Sequence, residues 1–184
     1  IIDAISKLEP ELGDHEFLGP GRITVTDMEV QTPSINAVPD EATIYIDRRL
    51  TYGEDYKAEL ERIQRIIGDR DDITAEILIY DTPSYTGFVF PLEKYYPAWL
   101  LPEDDPYVQA GVQAGAALWG EPLPTGKWDF STNGCFWMGK AGIPSIGFGP
   151  GDEIYAHSVL DQVPLDDVVR ATEWYALLPA FLPK

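Results

Sequence analysis

The 184 residues predict a mixed helix and strand protein in two parts: an α+β unit followed by an α/β part-domain. Three observations carry this expectation. Residues 1–80 read as helix, strand, strand, helix, strand. Residues 81–105 crowd tyrosine, tryptophan and proline together without any period. From residue 106 onward, helical patterns alternate with short apolar runs that have the length of strands.

In the first part, Ile1, Ile5, Leu8 and Leu12 recur at helical spacing, with Pro10 and Gly13 as stop signals. The helix pattern is already under way at Ile1, so the sequence reads as the C-terminal portion of something longer. Arg22 to Val30 alternates as a strand, but Asp27 breaks the phase before Met28 and Val30, which predicts a bulge. Ser34 to Asp40 is a turn. In Ala42 to Leu50, Ala42, Ile44 and Ile46 face one way and Tyr45, Asp47 and Arg49 the other. Thr51-Tyr-Gly-Glu54 matches a capping box and should open a helix carrying Tyr56, Leu60, Ile63 and Ile67 on one stripe, stopped by Gly68. Ile73, Ala75, Ile77 and Ile79 alternate as a further strand. With one strand ahead of Ile1 the order becomes β-α-β-β-α-β, the ferredoxin-like arrangement of an antiparallel sheet covered on one face by two helices.

Residues 81–105 read as an ordered crossing. Asp105-Pro106 should then start a helix with Pro in its first turn, burying Val108, Val112, Gly115 and Trp119 and ending at Gly120. Short strands are expected at Lys127–Phe130 and Pro144–Phe148, with a short helix at Asn133–Lys140 between them. Leu165, Val168, Thr172, Tyr175 and Leu178 mark a last helix. The expected domains are thus 1–80, a crossing at 81–105, and 106–184.

The formal net charge of −18 disfavours nucleic acid and anionic membranes, which require cationic surfaces. No apolar run approaches the roughly 20 residues of a membrane span. The single cysteine, Cys135, requires no oxidising compartment, and the composition points to a cytoplasmic setting.

Few residues can carry chemistry. His157 follows an apolar run that ends in Gly149-Pro150-Gly151, the position at a strand's carboxyl end where open α/β sheets bind ligands. It fits a metal ligand and equally a loop histidine bonded to backbone. Glu153 has i, i+4 spacing to it, but the Gly/Pro-rich surroundings are wrong for a zinc-binding helix. His15, in Asp14-His15-Glu16, reads as a turn residue. Ser131, Thr132 and Asn133 stand between an expected strand and helix, suited to capping or to holding a carboxylate. Ser131 lacks the flanking glycines of a nucleophile elbow. Asn36 reads as a turn residue, Arg49 as a strand-end charge beside Asp47, and Cys135 as a small buried residue.

In order, however, Asn36-Ala-Val-Pro39, Ile46-Asp-Arg-Arg-Leu50, Ser131-Thr-Asn-Gly134, Gly147-Phe-Gly-Pro-Gly151 and Ala156-His-Ser158 resemble the co-catalytic zinc peptidases and deacylases. That family includes acetylornithine deacetylase, succinyl-diaminopimelate desuccinylase, aminoacylase and carboxypeptidase G. Tyr80 to Gly87 and Trp128 to Gly134 look closest to its selenium-metabolism-linked hydrolase branch. The resemblance implies a dimerising ferredoxin-like lid followed by the tail of a catalytic domain. It also implies two zinc ions activating a water against an amide bond, and a homodimer formed through the lid. The substrate would be an N-acyl amino acid or short peptide. His157 would be the last metal ligand, with Asn36, Arg49, Thr132 and Asn133 binding substrate. The family's other metal ligands and its general base would all precede Ile1, so no catalytic residue is expected in this chain, and the chain alone is expected to be inactive. A non-catalytic dimerisation module or an inactive truncated relative is the alternative.

Overall fold

A computed structural model describes residues 1–184 as two units, Ile1–Ala98 and Trp99–Lys184. The first is built on one antiparallel hairpin. Strand β3 (Arg22–Gln31) pairs with β4 (Glu41–Arg49), from Arg22 opposite Arg49 to Gln31 opposite Glu41. Two smaller ladders flank it in the chain: β1 (Asp14–His15) with β2 (Gly19–Pro20), and β5 (Ile79–Tyr80) with β6 (Leu92–Glu93). The unit is α+β, with helices and small antiparallel sheets.

The bulge falls where the phase broke. Val25 pairs with Ile46 and Asp27 with Tyr45, leaving Thr26 as the extra residue. The Asp27 carboxylate accepts the Met28 amide at 2.8 Å, which holds the kink. Beyond the bulge, Met28 and Val30 lie opposite Ile44 and Ala42, so the apolar face of the hairpin continues toward its tip. The core is Ile5, Leu8 and Ile23, with Leu12, Val25, Ile44, Ile46, Ile63 and Ile66 packed around them.

Helix α2 (Tyr56–Ile67) stops at Gly68, whose φ of +67° suits a residue without a Cβ. Its start differs from expectation. Asp55 is the N-cap, accepting the amides of Lys57 and Ala58 at 2.7 and 3.0 Å. Only the carboxylate half of the Thr51/Glu54 box forms: Glu54 accepts the Thr51 amide at 2.8 Å, while the Thr51 hydroxyl donates to the Gly19 carbonyl. The N-terminal helix is also shorter than its stripe. α1 covers Ile2–Ile5, and a separate 3₁₀ turn, Glu9–Glu11, contains Pro10, which cannot donate within a continuous helix. Residues 73–78 alternate in burial but join no ladder, so the strand expected over Ile73–Ile79 is reduced to β5. A strand needs backbone partners as well as an apolar rhythm.

An ion network joins the hairpin to the turn and α2. Arg48 follows Ile44 and Ile46 on the core-facing side of β4, and its side chain is 13% exposed. It donates to Glu54 Oε1 at 2.5 Å and to Glu59 Oε2 at 3.0 Å, and it also reaches the Arg49 carbonyl. Glu54 accepts the Gly13 amide at 2.8 Å as well as that of Thr51. A Cβ on Gly13 would lie 2.9 Å from Glu54 Oε1, and one on Gly21 2.7 Å from Arg48 Nη1. Both glycines therefore leave room for the ion pair. Burial pushes the Glu54 carboxyl up, but the Arg48 hydrogen bond, the two amides and the Arg48 charge outweigh it and hold the carboxyl below its ordinary range.

In the second unit, α3 (Pro106–Trp119) begins at Asp105, which accepts the Tyr107 amide at 2.8 Å, and ends at Gly120 with φ +83°. Its buried seam is Ala110, Gly111, Ala114 and Gly115; of the expected stripe Gly115 is buried, while Val108, Val112 and Trp119 are half-buried. Small residues form the seam because large side chains lie against it. A Cβ on Gly111 would come within 3.1 Å of Trp174, and one on Gly115 within 2.4 Å of Leu123. In α4 (Leu165–Leu177) the buried residues are Ala171 and Trp174, while Leu165 and Tyr175 of the expected stripe are exposed. Trp174 donates from Nε1 to the Gly111 carbonyl at 2.9 Å and stacks on Phe148 at 4.3 Å.

The strands expected at Lys127–Phe130 and Pro144–Phe148 form no ladder, and the second unit contains no sheet. Phe148 is instead held by Trp174 and by the Tyr175 hydroxyl, which donates to its carbonyl. The short helix is present as a π-helix over Cys135–Lys140.

Two stability predictions follow from the Glu54 network. Glu54→Gln removes one of the two carboxylate partners of Arg48, which keeps Glu59, and should cost about 1.5–3 kcal/mol, read from the urea midpoint. Because the folded Glu54 pKa is depressed, its contribution is present above the ordinary carboxylate range and lost as pH falls through the folded value. Wild-type midpoints should therefore fall on acidification more steeply than those of Glu54→Gln, and parallel curves would contradict this.

Candidate functional site

The residues that could carry chemistry fall in both units. In the first, Asn36 is exposed in the Ser34–Ala37 turn at the hairpin tip, its amide donating to the Ser34 hydroxyl at 3.3 Å. Its neighbours Ile35 and Val38 are almost fully exposed. Arg49 lies at the other end of β4, opposite Arg22. Its side chain is 58% exposed, and the guanidinium donates to the Asp47 carboxylate at 2.8 Å. Eight residue steps from Glu41 to Arg49 separate tip from base by roughly 26 Å. No small ligand can touch Asn36 and Arg49 of the same hairpin at once.

In the second unit, Thr132 caps the turn before the π-helix. Its hydroxyl accepts the Gly134 amide at 3.2 Å and its carbonyl the Cys135 amide at 3.1 Å. The Asn133 carbonyl receives the amides of Phe136 and Trp137, and the residue is exposed. Cys135 is buried, and burial pushes its thiol up despite the Lys140 charge, so it suits packing rather than attack.

His157 is exposed and is the chain's sole non-glycine residue with positive φ, at +62°. The turn around it is closed by the Ser158 amide donating to the Tyr155 carbonyl and by the Ser158 hydroxyl donating to the same oxygen at 2.8 Å. Its ring meets Phe130 edge-to-face, at 6.2 Å between centroids and 90° between planes. Phe130 stacks in turn on Trp128 at 5.8 Å and 11°. Neither aromatic was among the expected site residues, although their i, i+2 spacing would put them on one face of the strand expected at Lys127–Phe130.

His15 is engaged elsewhere. Its Nδ1 accepts the amides of Phe17 and Leu18, both at 3.2 Å, closing the β1–β2 turn. No three His, Cys, Asp or Glu side chains converge on a cation site. The single buried side-chain polar atom without a partner is Arg62 Nε, a donor that cannot bind a metal. The residues of this chain do not make a metal centre by themselves; His157 offers one ligand at most. No helix is long and apolar enough to cross a membrane.

Residues 1–74 match the M20 peptidase dimerisation domain. Over 180 residues, 97% of its length, the chain is 39% identical to the uncharacterised protein YgeY of Escherichia coli K12, and equally to that of strain O157:H7. It spans 45% of the length of those relatives. Over 88 residues, 48% of the chain and 20% of the relative, it is 33% identical to N-formyl-4-amino-5-aminomethyl-2-methylpyrimidine deformylase of Halalkalibacterium halodurans. These likenesses support the M20 peptidase family.

A left-handed backbone favours glycine and penalises β-branched residues. His157→Gly should therefore leave stability within about 0.5 kcal/mol of wild type, whereas His157→Val should lose about 1–2 kcal/mol. Thermal unfolding of the two variants measures the difference; equal losses would show that the backbone conformation at this position is not constrained.

Proposed function

We propose that the chain is the C-terminal portion of a metal-dependent hydrolase of the M20 type that cleaves the amide bond of an N-acyl amino acid or short peptide. The observation that carries this reading is the match of residues 1–74 to a peptidase dimerisation domain, together with likeness over 97% of the chain to a relative more than twice its length. The deformylase relative, by its name, removes an N-formyl group, which is amide cleavage.

The proposed metal is zinc, two ions in the complete enzyme, and His157 is the terminal ligand this chain contributes. Its exposed ring at a fixed turn suits that role. The remaining ligands and the general base would come from sequence ahead of Ile1, so the chain alone is inactive. Arg49 binds the substrate carboxylate: a guanidinium presents paired N–H donors to a carboxylate, and the Asp47 contact keeps it at the base of the hairpin. Thr132 and Asn133, in the turn that leads into the π-helix, are the substrate-binding residues proposed for the second unit.

Asn36 needs a different geometry. With roughly 26 Å of strand between it and Arg49, both residues can serve one substrate only if they come from two copies. A homodimer through residues 1–80 provides this, and the exposed tip at Ile35 and Val38 suits a segment that reaches into a partner. The proposed domains are then lid 1–80, crossing 81–105 and catalytic tail 106–184, in the cytoplasm.

A second reading has one observation in its favour. The matched residues 1–74 are a dimerisation domain, which suits a non-catalytic dimerisation module.

The test uses the protein that carries this chain joined to its upstream half. His157→Ala should remove bound zinc and amide hydrolysis together; unchanged zinc content and turnover would remove His157 from the site. Asn36→Ala and Arg49→Ala should each be inactive as homodimers. After the two are mixed and allowed to exchange subunits, activity should return, because a heterodimer keeps one site with both residues. No recovery despite proven exchange would place both residues in the same copy's site or in neither.

A further inference from the structure

We infer that Phe130 is a positioning residue for His157, and that it is held in turn by Trp128 seated on Gly147. The inference rests on the reading of His157 as a functional imidazole and adds the device that fixes its ring. A left-handed backbone at His157 (φ +62°) settles where the side chain leaves the loop but not how the ring turns about its own bonds. An exposed imidazole at such a point has several rotamers within reach. Its one aromatic neighbour is Phe130, perpendicular to it with centroids 6.2 Å apart, inside the range where edge-to-face pairs attract.

Phe130 is itself backed. Trp128 lies nearly parallel to it, at 5.8 Å and 11°. The six-membered ring of Trp128 lies against Gly147, where an added Cβ would come within 2.1 Å of Cζ3 and 2.3 Å of Cη2. Any side chain at 147 would therefore displace the indole. Gly147 has no positive φ, so backbone freedom does not explain the glycine; close approach of the indole does. Gly147, Trp128, Phe130 and His157 form one row of contacts, in which only Phe130 touches the imidazole.

Proton NMR of the protein that carries this chain, with its histidines selectively labelled, tests the row directly, because His157→Ala and His15→Ala identify which ring signals belong to each. In the wild type, cross-relaxation should connect the ring protons of His157 with those of Phe130, and the His157 signals should be displaced from the positions of an unfolded chain. Phe130→Leu should return the His157 signals to those positions while the His15 signals stay, and Phe130→Tyr should restore the displacement. Gly147→Ala, which touches neither ring, should move the His157 signals as well. Wild-type spectra without the cross-relaxation, or His157 signals unmoved in folded Phe130→Leu, would overturn the inference. So would His157 signals unmoved in folded Gly147→Ala. Loss of the functional reading would look different: zinc content unchanged in His157→Ala, with the ring contact intact in the wild type.

Discussion

Arg48 and Glu54 meet inside the first unit at 2.5 Å, each about nine-tenths buried, and the local backbone is arranged around them. A buried charge without a partner is among the more costly features a small domain can carry. Arg48 therefore needs Glu54 and Glu59, Glu54 needs the amides of Gly13 and Thr51, and residues 13 and 21 must lack a Cβ. The contacts bring the segment before β3, the end of β4, the following turn and the first turn of α2 to one point. Apolar packing of Ile5, Leu8 and Ile23 supplies driving force, but it has no direction. The ion network does, and it fixes the register of the hairpin's base and with it the position of Arg49.

The hairpin carries its polar chemistry at two ends. At the base, Arg48 turns inward to hold the fold while Arg49, the next residue, turns outward with Asp47. At the tip, Asn36 stands among exposed apolar residues. In the proposed homodimer, this division would let one end serve its own copy's site and the other a partner's. In the second unit, segments without a sheet are held by side chains instead of by ladder bonds: Trp174 and Tyr175 hold Phe148, and Trp128 lies against Gly147 and Phe130 in the row inferred to lead to His157.

Period and punctuation in the sequence located much of this architecture. The bulge at Thr26, the end of α2 and the start and end of α3 follow from alternation, Gly68, Asp105-Pro106 and Gly120. The strands of residues 73–79, 127–130 and 144–148 did not form as expected, because apolar runs specify burial and not which backbone will pair with them. The buried seams of α3 and α4 were turned from expectation because Ala and Gly gain importance only when a tryptophan lies against them. Arg48 was overlooked in favour of Arg49, although it is in phase with Ile44 and Ile46; a cation in a core-facing row was the available signal. The row from Gly147 to Phe130 joins residues distant in sequence, and only folding brings them together.

Zinc-edge anomalous diffraction from crystals of the longer protein proposed above tests the central claim most directly. The account predicts a peak at about 2.1 Å from one imidazole nitrogen of His157. A well-occupied zinc peak remote from that ring, with His157 turned to solvent, would contradict it.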